Sequence, residues 1–343
     1  FIRAVTYFYL VRMFGGVPLR TESTNAGTEF FVARNTVEEV YDLIISDLET
    51  AVSLLLPKSQ PAAIGLTNKG AAQAMLSLVY LTYGNYLDLN GGDPVAAYAS
   101  ARDYADSVIL STDYKYALVD NYADLWNVDN EADAYAKEVI WGLRFTRDVG
   151  SADINSEGSE YALRYMPNSI ADKTGLVSPK GAGRGQFKVQ PWFYDFCTSG
   201  EYANDFRAEV SYLTSWRRNT DNALQNTYPL NPSPAQLNAN GGLLTPNLFN
   251  QPYLNKYVDG KGTDTRTHEN DLFIIRLAEV YLIKAEALNE INGGPTPEAY
   301  TAFNMLRERA RNANGTTRTN HGNLEPGLSQ NDFRLKIFNE RGV

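Results

Sequence analysis

The sequence predicts a mainly α protein: a scaffold of stacked helix pairs, interrupted by a large irregular, partly β insertion. Three observations predict it. The segments Ala74–Ile109 and Leu277–Ala310, far apart in the chain, read as the same helical hairpin: an Ala- and Tyr-rich helix, a Gly-Gly turn, a proline at a helix start, an Ala-Tyr pair and a closing helix. The segment 271–292 is apolar on two sides, with Ile274, Ala278, Tyr281, Ala285 and Leu288 on one stripe and Ile275, Leu282 and Ile291 on another. Such a helix is sandwiched between neighbours, as in a helical solenoid. The stretch between the hairpins is rich in Gly, Asn, Pro and Tyr, and helical periodicity fades in it. Helix-pair repeats build scaffolds, so binding residues are expected in what interrupts them.

The elements follow in chain order. Residues 1–14 carry Val5, Phe8, Tyr9, Val11 and Met13 near helical spacing; Gly15-Gly16 can stop the helix and Pro18 prevents its continuation. A loop runs to Asn35, and of its adjacent Phe30 and Phe31 one is expected to pack. Thr36-Val37-Glu38-Glu39 spells a capping box, in which hydroxyl and carboxylate each satisfy a free backbone N–H. The helix it opens runs through Val40, Ile44, Leu48 and Leu55 to Pro57. Helices are predicted over 68–86 and 94–111. Asp93-Pro94 and Thr296-Pro297 each place a capping side chain before a proline at the first helical position. Ser329, with Asp332 three residues on, caps the last helix. Between the hairpins, strand-like runs appear at 139–145, 187–189 and 210–213, and segment 219–252 reads as loop. The expected organisation is one domain over 1–343, with its helical scaffold in 1–111 and 271–343 and the ligand-binding insertion in about 112–270.

Composition narrows the function. A formal charge of −9 argues against nucleic acid as a partner, because phosphate binding needs a basic face. No apolar run reaches the ~18 residues of a membrane-spanning helix. The single cysteine, Cys197, excludes an internal disulfide and a thiolate metal cluster. The chain starts at Phe1 inside a helical pattern and stops at Val343 soon after a new helix begins. Both ends are therefore expected to be cut, with any signal peptide or lipid attachment site lying before Phe1.

Several motifs together carry a resemblance. FIRAVTYFYLVRMFGGVPL (1–19), KGAAQAMLSLVYL (69–81), NYADLW (121–126) with EVIWGL (138–143), DFRAEV (205–210), RLAEVYLIKAEALNE (276–290) with AFNMLRERA (302–310), and FRLKIFNERGV (333–343) stand in the order of one family's signature. The chain resembles the SusD/RagB family of surface nutrient-binding lipoproteins of Bacteroidetes. The resemblance implies tetratricopeptide-like helix pairs forming an α–α superhelix, with irregular insertions. It implies a lipid anchor at the outer membrane, an outward-facing position, and a TonB-dependent SusC-like transporter as partner. It implies glycan ligands, or peptides as in RagB-like members, with no catalysis and no cofactor.

Aromatic rings suit saccharides, whose apolar C–H faces stack on them while hydroxyls reach the rim. Trp126 and Trp141 fall inside the structural motifs and are read as core. Trp192, after the Gly-rich loop 181–191 and at a helix start, and Trp216, before Arg217-Arg218, lie in the insertion. Each is a candidate ligand contact, with packing as the competing reading. Strand spacing places Tyr212, Thr214 and Trp216 on one face. Tyr161, Arg164 and Tyr165 in EYALRYMP form a second candidate group, displaying one aromatic face or packing beneath a loop. Arg184 and Gln186 are candidate donors to sugar hydroxyls, or members of a solvated loop.

Asp129, Glu131 and Asp133 have the spacing of a calcium loop but lack its Gly and its closing Glu, and are read as a solvated turn. Asp195, Glu201 and Asp205 admit an acid/base pair for glycoside cleavage; the resemblance makes Asp205 and Arg207 structural instead. His268 and His321 stand apart without metal spacing, and Gly181-Ala182-Gly183-Arg184-Gly185 lacks the pattern of a phosphate loop. No metal or cofactor is expected. Specificity is placed in roughly 145–265.

Overall fold

The computed structural model describes residues 1–23, 25, 27, 29–59, 66–146, 158–167, 185–217, 224–226, 251–257, 268–313, 315–317 and 322–343. The scaffold is a serial stack of helices. α1 (Ile2–Phe14) packs on α2 (Val37–Leu54), α2 on α3 (Lys69–Leu89), and α3 on α4 (Val95–Ile109). The last three helices, numbered in sequence after four short ones described below, are α9 (Leu277–Asn292), α10 (Pro297–Ala310) and α11 (Gln330–Gly342). α4 packs directly on α9, and α9 on both α10 and α11. The two matching hairpins, α3–α4 and α9–α10, are therefore neighbours in space. Their stacking explains the two-sided apolar pattern of α9: Val280, Ile283 and Ala287 face the core of α1–α4, while Ala278, Leu282, Ala285 and Leu288 face α10 and α11.

Close approach needs small residues at the crossings. A Cβ on Gly84 of α3 would lie 2.7 Å from the Tyr98 ring of α4. Lys284 on α9 is clasped between Asp106 of α4 (2.5 Å) and Glu298 of α10 (2.6 Å), which ties the two hairpins together. Three of the caps form as read. The Thr36 hydroxyl accepts from Glu39 N–H (3.2 Å) and the Glu39 carboxylate accepts from Thr36 N–H (2.9 Å). Thr296 and Ser329 cap α10 and α11. At the first hairpin Asp93 bonds Val95 N–H two residues on, so Pro94 is the cap residue, not the first helical one.

The middle of the chain holds α5 (Glu131–Lys137), α6 (Tyr161–Tyr165), α7 (Pro191–Thr198) and α8 (Phe206–Ser211), none longer than eight residues. Helices this short do not complete enough turns for a periodicity to show in sequence. Its strands are β1 (Val139–Leu143), β2 (Tyr212–Leu213), β3 (Ser215–Arg217), β4 (Leu224–Asn226), β5 (Tyr253–Leu254) and β6 (Leu272–Arg276). They pair antiparallel as β1–β6, β2–β5 and β3–β4, and a fourth ribbon, β7 (Asn312–Ala313) with β8 (Thr316–Thr317), follows α10.

Four expectations are corrected, one of them in part. Residues 272–276 are a strand, because Leu-Phe-Ile-Ile finds a partner in β1, Trp141 opposite Ile275 and Gly142 opposite Phe273; short apolar runs are ambiguous between strand and helix until a partner is known. Lys188 forms one isolated bridge, not a strand over 187–189, and of the run 210–213 the first two residues end α8 while Tyr212 and Leu213 form the strand β2. Phe30 and Phe31 are 70% and 95% exposed, so neither packs.

Buried ion pairs bind the middle to the scaffold. Glu138, fully buried, accepts from Arg276 (2.7 Å), Arg309 (2.9 Å) and Val119 N–H (2.9 Å). Asp205 caps α8 and pairs with Arg207, which reaches Glu340 on α11 at 2.7 Å. Glu201 pairs with Lys336 at 2.8 Å. Asp205 and Glu201 are thus held in structural pairs, as the resemblance implied for Asp205. Asp133 pairs with Lys137 and Glu131 with Arg144, and among the described residues no cluster of potential ligands forms a metal site.

Candidate ligand-binding site

α6 is a single turn and a half, so Tyr161, Arg164 and Tyr165 share a face by their i, i+3, i+4 spacing. Ser159 starts it: its backbone N–H donates to His268 C=O (2.7 Å), and its hydroxyl accepts from Tyr161 N–H (3.2 Å). The segment after Gly185 docks beside it. Phe187 N–H donates to Arg164 C=O (3.2 Å), and Arg164 Nη1 donates to Gln186 Oε1 (2.8 Å). Arg164 also pairs with Glu160 at 2.9 Å. Gly185 is required here: its φ is +52°, and a Cβ would lie 2.6 Å from the Tyr253 ring.

The rings form a continuous shelf. Tyr161 and Tyr165 stack at 5.9 Å and 19°, and Tyr257 closes on both, at 4.9 Å and 5.5 Å. Phe187 extends the shelf beyond Tyr165 (5.8 Å), and Phe145 meets Tyr161 edge-on (5.9 Å). At the other end Tyr257 contacts Trp126 (5.8 Å), which contacts Phe273 of β6 (5.4 Å). Tyr161, Tyr165 and Tyr257 are half-buried, while Phe187 and Gln186 are exposed. Burial pushes the Tyr257 phenol up to about 12 and raises that of Tyr161. Both are neutral at physiological pH and can donate to and accept from hydroxyl groups.

Of the residues singled out in sequence, the structure brings together Tyr161, Arg164, Tyr165 and Gln186. Arg184 lies outside the described residues. Trp192 is 67% exposed on α7 and its ring contact is with Phe193; among the described residues no ring contact joins it to the shelf. Trp216 is corrected to a packing residue. It is 7% exposed and lies edge-on to Tyr253 (5.4 Å), in a cluster with Met166 and Leu213 that underlies the end of α6. The strand breaks at Thr214 between β2 and β3, so Trp216 clusters with Leu213, and Tyr212 turns instead to Tyr194 and Cys197. Trp141 is buried as expected, and Trp126 is half-buried beneath the shelf.

Sequence reasoning missed Tyr257, whose position beside α6 is set by chain pairing far from it. It also missed a cleft of about 410 Å³ between α7, α8 and β2, lined by Tyr194, Thr198, Glu209, Tyr212 and Ser215. Beside the shelf, Glu131 and Asp271 share Arg144, at 2.6 Å and 3.1 Å, and Asp271 also accepts from Phe145 N–H (2.7 Å). Burial first, then the neighbouring Asp271, pushes Glu131 up to about 7.

The fold and the motifs agree with comparison to known proteins. The SusD family profile matches residues 137–343, and a second profile, described as "Starch-binding associating with outer membrane", matches residues 1–81. The chain belongs to the SusD family. SusD-like protein P2 of Formosa agariphila is 29% identical, over 100% of this chain and 61% of that protein. The starch-binding protein SusD of Bacteroides thetaiotaomicron is 27% identical, over 90% of this chain and 56% of that one. This chain therefore spans about three-fifths of the length of the curated relatives it matches. A SusD homolog of Bacteroides thetaiotaomicron of known structure superposes with a TM-score of 0.76 at 23% identity, covering 99% of this chain and 63% of that chain, a likeness of fold.

Proposed function

We propose that the protein captures oligosaccharides at the bacterial surface, without cleaving them, and passes them to a TonB-dependent SusC-like transporter in the outer membrane to which a lipid anchor holds it. The observation that carries the binding role is the half-exposed shelf of Tyr161, Tyr165 and Tyr257, rimmed by Arg164 and Gln186. Stacked tyrosines offer a broad apolar face at low entropic cost, and the rim offers amide and guanidinium donors for hydroxyls. The outer-membrane, starch-binding description of the second family profile and the name of the SusD relative support the same reading. Glu201 and Asp205 sit in ion pairs with Lys336 and Arg207, which favours binding over acid/base chemistry at those carboxylates.

The test is isothermal titration against α-1,4- and β-1,3-linked gluco-oligosaccharides and a wider glycan and peptide panel. A shallow aromatic site gives micromolar affinity or thereabouts. Tyr165→Ala removes one stacking face worth roughly 1 kcal/mol or more, so affinity for the bound glycan falls about fivefold to tenfold, with Tyr161→Ala similar. Trp192→Ala, away from the shelf, leaves it unchanged. Full affinity in both tyrosine variants would place the site elsewhere, and product release during incubation would replace binding by hydrolysis.

A further inference from the structure

Two carboxylates share a small cavity with rings of the shelf. Glu131, the first residue of α5, and Asp271, just before β6, line a space of about 10 Å³ together with Trp126, Tyr257 and Phe273. A space of that size holds about one water. The pair has one guanidinium between them, that of Arg144, at 2.6 Å from Glu131 and 3.1 Å from Asp271.

The other groups around the pair add no positive bond to it. Tyr135, four residues along α5, has its phenol pushed well above the ordinary range by burial first and then by Asp271, so it stays neutral. Asn270 and Trp126 bring neutral groups, and the Asn270 Oδ1 and Trp126 Nε1 atoms are buried with no partner among the described residues. Lys256 and Arg276 lie over the Trp126 ring, at 4.8 and 5.8 Å, and among the described residues neither bonds to the pair. Asp133 is held by Lys137 at 3.1 Å. Asp129 and Glu269 flank the pair in sequence, as does the buried His268, a residue type that titrates near neutrality.

The cluster is closed toward β1 and tied to the shelf on its other side. A Cβ on Gly142 would lie 2.7 Å from the Tyr135 hydroxyl and 2.8 Å from Leu272 C=O, so nothing gives there. Asp271 accepts from Phe145 N–H (2.7 Å), and Phe145 stands edge-on to Tyr161 (5.9 Å). Tyr257, in the cavity wall, lies 4.9 Å from Tyr161 and 5.5 Å from Tyr165.

A protonated Glu131 suits this space, because the pair then carries one negative charge and Arg144 balances it. An ionised Glu131 sets two carboxylates against each other, and the second charge needs hydration that a one-water cavity does not supply. With the β1 side closed, the room comes from the ring wall. Burial and the neighbouring Asp271 set this change at about pH 7.

We propose that Glu131 is a proton-operated latch for the shelf: protonated, it keeps Phe145 and Tyr257 packed on Tyr161 and Tyr165, and on losing its proton it releases them, which weakens ligand binding. The effect on ligand rests on the shelf being the glycan site; the movement of the rings does not.

The test reads the rings and the ligand separately, in the parent chain and in Glu131→Gln, which keeps a neutral hydrogen-bonding group at every pH. Without ligand, tryptophan fluorescence is followed from pH 5 to 8.5, since Trp126 stands in the cavity wall. The parent shows a step centred near pH 7 that Glu131→Gln lacks. His268 is present in both chains, so its own titration cancels in the comparison. With ligand, isothermal titration uses a gluco-oligosaccharide that binds at pH 6 and is repeated at pH 8.5. The parent's affinity falls about tenfold, as one-proton linkage allows, while Glu131→Gln keeps its pH 6 affinity. The latch is overturned if the parent shows no step, if Glu131→Gln retains it, or if a bound glycan has the same affinity at both pH values. If no glycan binds at any pH, the glycan reading of the shelf fails instead, and the fluorescence comparison alone decides the latch.

Discussion

Replacing Glu131 with Gln should change how stability depends on pH. Glu131 lies beside the shelf with 15% of its side chain exposed, sharing Arg144 with the fully buried carboxylate of Asp271. One guanidinium cannot neutralise both acids, so the folded state holds Glu131 protonated up to about pH 7, against 4.5 for an ordinary glutamate. Between those values the folded chain carries a proton the unfolded chain has released, and stability falls as pH rises through the interval. At about 1.4 kcal/mol per unit the shift corresponds to roughly 3 kcal/mol, and partial exposure reduces the expected loss to about 2 kcal/mol. A glutamine mimics the protonated acid: it accepts from Arg144 and donates to Asp271 at every pH. The variant and the parent should match near pH 5, and by pH 8 the variant should be more stable by about 2 kcal/mol. Urea denaturation of both chains at pH 5, 6, 7 and 8 measures this, and taking the difference cancels other groups that titrate in the window. A difference that stays constant with pH, or that favours the parent at pH 8, refutes the shared-proton arrangement.

Other substitutions test the scaffold. Gly84→Ala would gain helix propensity at an open position, but here the new Cβ lies 2.7 Å from the Tyr98 ring, whose hydroxyl is fixed by Asn85 at 2.8 Å; a net loss of about 1–2 kcal/mol is expected by thermal melting. Glu138→Ala leaves Arg276 and Arg309 buried without their shared carboxylate, and chemical denaturation should show a loss of about 3–5 kcal/mol. Thr36→Ala breaks the capping box at α2 and should cost about 1 kcal/mol, seen as a lower denaturation midpoint at unchanged slope.

Much of the scaffold is readable because its rules are local. The Thr36 box, the Thr296-Pro297 start and the Ser329 cap depend on a few adjacent residues, and each forms as spelled. The boundary at 276–277 was not readable, because Leu272–Arg276 becomes strand only by pairing with β1, more than a hundred residues earlier. Site residues divide the same way. Tyr161, Arg164 and Tyr165 share a face through helix spacing alone. Trp216 shares its nominal strand face with Tyr212, yet the break at Thr214 sends one ring toward Tyr253 and the other toward Tyr194.

By itself the sequence determined the helix-pair class, the caps that bound the helices, the family signature and the one short helix whose spacing gathers two tyrosines and an arginine. Only the tertiary structure decided that the matching hairpins stack through α4 and α9, that Tyr257 and Trp126 extend the tyrosine pair into a shelf, and that Glu131 and Asp271 share Arg144 beside it. The physical reason is range. Capping and helix periodicity act over a few residues and leave a trace in local order, whereas ring stacking, charge convergence and strand pairing join residues whose separation along the chain carries no pattern.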